Sequence, residues 1–97
     1  MGASSDSTNA ALEGKGIAVI GGTTGLGLSA ARALMRAGAS VTVVGRKAAS
    51  VEEAREELEA LGPGRVCGLQ GDAIAPETAT EAVARSLKQF GTFDGLY

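Results

Sequence analysis

The chain has 97 residues, enough for one small domain at the usual domain length of roughly 150. Hydrophobic residues make up 44% and charged residues 21%, with mean hydropathy +0.13, a globular rather than a disordered composition. Nine Lys and Arg against eleven Asp and Glu leave a net charge of −2 and a pI near 5.0, which excludes the basic face of a general nucleic-acid binder.

No apolar run is long enough to span a bilayer, so neither a membrane nor a nucleic acid is an expected partner. The single cysteine, Cys67, has no partner for an internal disulfide, and histidine is absent. A His-based triad and an ordinary Cys/His zinc site are therefore excluded within the chain, and no metal is expected. The N-terminus has neither the basic patch nor the apolar stretch of a secretory signal, and Asp6 stands where a myristoylation signal wants Ser or Thr. A cytoplasmic protein in a reducing compartment is the expectation. With no Trp, one Tyr and two Phe, the core must be aliphatic.

Residues 1–11 are small and polar and read as a disordered lead, leaving residues 12–97 as the folded part. Residues 17–20 form an uninterrupted apolar run, a buried strand. Glycines follow, and then Leu28, Ala31 and Met35 recur at helical spacing, with Gly38 just past the end. Residues 41–44 (VTVV) make a second, β-branched strand. Ser50 and Glu53 have the spacing of a capping box, and behind them Val51, Ala54, Leu58 and Leu61 line one helix face. Gly62-Pro63-Gly64 stops that helix, and residues 65–70 read as a third strand. Pro76 suits the first turn of another helix, whose apolar face is Ala79, Val83, Leu87 and Phe90. Gly91 ends it, and residues 93–97 read as a fourth strand cut short.

The order β-α-β-α-β-α-β predicts an α/β fold of Rossmann type: a doubly wound parallel sheet, here its first half, with strand order 3-2-1-4. Residues 12–97 are thus expected to be half of such a domain, truncated in the fourth strand.

The first strand runs straight into Gly21-Gly22-Thr23-Thr24-Gly25-Leu26-Gly27, and a helix begins at once. Such a turn aims backbone N–H groups and the positive end of a helix dipole at one point, which suits a pyrophosphate. Glycine is needed because a Cβ would hold the phosphate away. No Lys-Ser/Thr pair follows the last glycine, so a P-loop is excluded.

Read as Gly-x-x-x-Gly-x-Gly, residues Gly21, Gly25 and Gly27 resemble the cofactor motif of the short-chain dehydrogenases/reductases. Leu12-Glu13-Gly14-Lys15 before the first strand, Gly38-Ala39 followed by VTVVGR, Gly71-Asp72 and the segment GTFDGL at 91–96 are similar to that family in the same register. The resemblance covers residues 12–97. Two departures stand out: Ile20 occupies the place where the family usually has Thr, and the family's catalytic Ser and Tyr-x-x-x-Lys pair are not in the chain. Tyr97, the sole tyrosine, falls in the fourth strand and is not a counterpart of the catalytic one. No catalytic residue is assigned.

An NAD-type dinucleotide fold places Asp or Glu at the end of the second strand, about 20 residues past the glycines, to hold the ribose 2′-OH. Here that place holds Gly45, followed by Arg46 and Lys47. A guanidinium without a neighbouring carboxylate favours the 2′-phosphate of NADP over NAD. Thr23 and Thr24 are candidates for hydroxyl bonds to phosphate or ribose. By resemblance, Asp72 and the Ala73 backbone contact the adenine.

What the resemblance implies is the cofactor-binding part of an NADP-dependent oxidoreductase, moving hydride between NADP(H) and a small carbonyl or alcohol substrate in the full-length parent. The 97 residues alone are not expected to catalyse. The alternative is a non-catalytic NADP-binding or interaction module, with homo-oligomerisation at an open strand edge left open. A methyltransferase using S-adenosylmethionine also places glycines after its first strand, but Gly45-Arg46 counts against it.

Overall fold

Parallel strands cannot be joined by a tight turn; each pair needs a crossover of a dozen or so residues, and this chain supplies a helix at every one. The computed structural model describes residues 11–97. In chain order the elements are β1 (Gly16–Ile20), α1 (Gly25–Arg36), β2 (Ser40–Gly45), α2 (Ala48–Glu59), β3 (Val66–Gln70), α3 (Pro76–Phe90) and β4 (Gly95–Leu96). All strand pairs are parallel, in the order β3-β2-β1-β4. The expected doubly wound, Rossmann-type α/β arrangement is the one observed. The expected N-terminal lead lies outside the described residues except for Ala11, which sits in the turn before β1.

β2 is central, and its β-branched residues bury both faces: Val41, Thr42, Val43 and Val44 are all closed to solvent. On one face Val19, Val41 and Val43 pack against Ala31 and Met35 of α1 and Ala54 and Leu58 of α2. Each of the Val, Met and Leu side chains contributes about 1.5–3 kcal/mol on burial. On the other face Ala18, Val44 and Leu69 meet Ala82 of α3. Thr42 is the polar exception on that face, and its hydroxyl pairs with the Cys67 thiol at 3.2 Å. Partial burial pushes the Cys67 thiol above its ordinary value, so it stays neutral.

Three local expectations are corrected. Ser50 is not a cap: α2 begins two residues earlier, at Ala48, with extended Lys47 before it and the Val51 amide donating to the Lys47 carbonyl at 3.0 Å. Ala48 and Ala49 are strong helix formers, so the helix absorbs them and Ser50 becomes part of its first turn.

The buried face of α3 is Thr78, Ala82 and Ser86, one residue or about 100° away from the apolar stripe. Small residues win there because the helix lies close against β1. The Ser86 hydroxyl donates to the Thr92 carbonyl at 2.7 Å, and a Cβ on Gly16 would come within 2.8 Å of that hydroxyl. Leu87 is left 51% exposed.

β4 is shorter than expected, at two residues, although the amide of Asp94 already donates to the Gly16 carbonyl of β1 at 2.7 Å. Its Oδ2 accepts from the Gly16 amide and the Thr92 hydroxyl, both at 2.8 Å. The ladder to β1 nevertheless continues to Tyr97, whose amide donates to the Ala18 carbonyl at 2.8 Å.

Candidate functional site

The glycine-rich turn joins the carboxyl end of β1 to α1. Gly21 (φ +77°) and Gly25 (φ +57°) lie in the left-handed region that side chains disfavour. Gly27 answers a different demand: a Cβ there would stand 2.1 Å from the Gly21 carbonyl oxygen. The turn is anchored to β2, since the Gly21 and Gly22 amides both donate to the Val44 carbonyl, at 2.8 and 3.1 Å.

Thr24 precedes α1 in an extended conformation and makes no side-chain cap. The first helical bond there is from the Leu28 amide to the Thr24 carbonyl at 3.2 Å. The amides of Gly25, Leu26 and Gly27 therefore lead the helix without intrahelical acceptors, and no acidic side chain occupies the first turn. That arrangement attracts an anion.

Beside the turn lies a cleft of about 560 Å³. Gly21, Thr23 and Thr24 form one wall, and Gly45, Arg46 and Lys47 at the end of β2 form another. Ser50 on the first turn of α2 and Gly71 and Ala73 after β3 complete it. Arg46 and Lys47 are exposed, and among the described residues no carboxylate pairs with either. The arginine turn is tied to β3, because the Gln70 side-chain amide donates to the Arg46 carbonyl at 3.1 Å.

Six of the residues singled out in the sequence thus share one cleft: Gly21, Thr23, Thr24, Arg46, Lys47 and Ala73. Gly25, Leu26 and Gly27 stand outside its wall at the start of α1, where the Leu26 side chain is 85% exposed. Asp72 does not line the cleft. Its Oδ1 accepts from the Ile74 amide at 3.1 Å and its carbonyl from the Ala75 amide at 3.0 Å, a turn that shapes the loop carrying Ala73. Ser50 also lines the cleft, a position that its capping-box spacing to Glu53 conceals; Ala48-Ala49 is the signal that the helix starts earlier.

A second cleft, of about 350 Å³, lies at the opposite end of the sheet, lined by residues that include Lys15, Ser40, Arg65 and Phe90. Helices end there rather than begin, as at the Gly91 cap of α3, so carbonyl dipoles disfavour an anion. Arg65 is already engaged, donating to the Gln89 carbonyl and lying over the Phe90 ring at 5.8 Å from its centroid. The anion-directed site is the one at the strands' carboxyl ends, where open α/β sheets hold their ligands.

A doubly wound α/β sheet with a glycine-built helix start and a basic cleft beside it is the class of protein that fold and site define. Residues 15–97 match the family model described as short chain dehydrogenase, and the chain belongs to that family of oxidoreductases. The chain is 36% identical over 84 residues to the L-rhamnose 1-dehydrogenase (NAD(P)(+)) of Sphingomonas sp. (strain SKA58), covering 86% of this chain and 33% of that protein. It is 33% identical over 93 residues to a short chain dehydrogenase/reductase of Macrophomina phaseolina (strain MS6), covering 96% and 52%. Among solved structures, the L-sorbose reductase from Gluconobacter frateurii, complexed with NADPH and L-sorbose, superposes with TM-score 0.81 at 27% identity. That match covers 91% of this chain and 34% of that one. The chain thus spans about a third to a half of the length of these relatives.

Proposed function

We propose that this chain holds the adenosine and pyrophosphate portion of NADP for an oxidoreductase acting on a small carbonyl or alcohol substrate. The observation that carries the reading is that the turn leading into α1 (Gly21, Thr23, Thr24) and Arg46 and Lys47, with which no carboxylate among the described residues pairs, line one cleft, with glycine at position 45. The turn stays open at Gly21 and Gly25, where a Cβ would meet nothing within 4 Å, and that room fits a close-lying phosphate. The leading amides of α1 bind the pyrophosphate, and Arg46 and Lys47 neutralise the 2′-phosphate. Thr23, Thr24 and Ser50 offer hydroxyls to ribose and phosphate oxygens, and Ala73 borders the adenine with Asp72 holding its loop. When bound, the nicotinamide supplies the hydride; no residue among these 97 is assigned a proton-transfer role.

The test is titration with NADPH and NADH, before and after Arg46→Asp. Tighter binding of NADPH that reverses or collapses in the variant supports the reading. Equal binding of the two cofactors by the unaltered protein overturns it.

A second reading is a non-catalytic NADP-binding or interaction module, which would use the exposed Leu96 and Tyr97 at the β4 edge as its contact. NADPH oxidation with a panel of carbonyl compounds separates the two: turnover by the protein as its source expresses it excludes this second reading.

A further inference from the structure

We propose that Thr23 and Gly45 form a steric lock on cofactor choice: the Thr23 side chain occupies the space that a carboxylate-bearing residue at position 45 would need. The inference rests on the reading of the cleft as an NADP site and names a specificity-determining residue within it.

Gly45 is buried at the carboxyl end of β2, the place where an acidic residue would hold a ribose 2′-OH. Its backbone is pinned, being in register with Gln70 of β3 and accepting the Gly71 amide at 2.8 Å. A Cβ built on it would lie 2.6 Å from the Thr23 methyl carbon, 3.0 Å from the Thr23 hydroxyl and 3.2 Å from a Val51 methyl. The first of these contacts is closer than any packed side chain tolerates.

Rotation of Thr23 gives little relief, because a β-branched residue places heavy atoms at two of its three staggered positions. Retreat of its backbone is opposed as well, since the neighbouring Gly21 and Gly22 amides are both held by the Val44 carbonyl. The cleft therefore rejects NAD-type ribose recognition by volume as well as by charge. Arg46 draws the 2′-phosphate in, and Thr23 keeps the competing carboxylate out.

The prediction is non-additivity, read in a cycle of Gly45→Asp, Thr23→Ala and the double variant in the protein as its source expresses it. Two quantities are measured: melting temperature without cofactor, and NADH affinity by titration. Gly45→Asp alone should lower the melting temperature and leave NADH affinity no better than before. Adding Thr23→Ala, which removes both γ atoms, should recover much of the melting temperature and tighten NADH binding about tenfold over the single variant, roughly 1.4 kcal/mol.

If Gly45→Asp does not fold, Gly45→Ala carries the same Cβ without the charge. It should be destabilised, and rescued by Thr23→Ala. Equal NADH affinity in the single and double aspartate variants, or a melting loss at position 45 that Thr23→Ala leaves unchanged, overturns the lock. Failure of the NADP reading looks different: the unaltered protein then binds NADPH and NADH alike, while the melting cycle still reports the steric coupling.

Discussion

The side-chain amide of Gln70, at the end of β3, donates to the main-chain carbonyl of Arg46, just past the end of β2, at 3.1 Å. One hydrogen bond thus steadies the turn that presents the guanidinium, without touching the guanidinium itself. A neutral hydrogen bond contributes about 0.5–1.5 kcal/mol, or roughly two- to tenfold in affinity. Gln70→Leu is expected to weaken NADPH binding within that range while leaving 5′-AMP binding unchanged. Titration of both ligands against the variant checks it, and a parallel loss for 5′-AMP points to general disruption of the fold.

Gly27 makes the sharpest demand of the turn, because a methyl group there meets the Gly21 carbonyl at 2.1 Å. Relief requires the turn to open, and overpacking of this kind costs about 1–3 kcal/mol. Gly27→Ala is expected to lower the melting temperature and to weaken every phosphate-bearing nucleotide together, with no change in preference between NADPH and NADH. Unchanged nucleotide affinity would remove the turn from the site.

Asp94 lies at the far end of the sheet and supplies a pH signature of the fold. Bonds from the Gly16 amide and the Thr92 hydroxyl hold its carboxyl below the ordinary Asp value of about 3.9. A folded-state value below the unfolded one means that the folded chain binds fewer protons. The contribution is therefore complete above the unfolded value and is lost as pH falls through the folded one. Asp94→Asn should narrow the difference in stability between neutral and acidic solution. Denaturant unfolding of both proteins across that interval measures it; parallel pH profiles would show that Asp94 is not linked to folding.

β1 and β2 are legible in the sequence because each is a short apolar run closed by glycine, whereas β3, interrupted by Gly68 and mostly half-buried, is marked chiefly by Gly62-Pro63-Gly64 before it and Gly71 after it. The glycine turn is legible for the same physical reason that it works, since each glycine meets a backbone constraint no other residue satisfies. The face of α3 is not. Hydrophobicity marks Val83 and Leu87, whereas close approach to β1 selects Ala82 and Ser86, and a serine bonded to a carbonyl across a loop leaves no apolar signal. Ser50 is obscured by a local pattern that two alanines override. The contact between Thr23 and Gly45 lies beyond sequence reading, because it depends on how closely two chain segments approach, which neither segment encodes alone.

The most direct test of the 2′-phosphate assignment compares 2′,5′-ADP with 5′-AMP, which differ only in that phosphate. A hydrogen-bonded partner at Arg46 is worth about 1.5–3 kcal/mol for a charged group, so 2′,5′-ADP should bind roughly ten- to a hundredfold more tightly. Arg46→Ala should narrow the gap, and Arg46→Ala with Lys47→Ala should close it. Equal affinities in the unaltered protein, or a preference that Arg46→Ala leaves undiminished, would contradict the assignment.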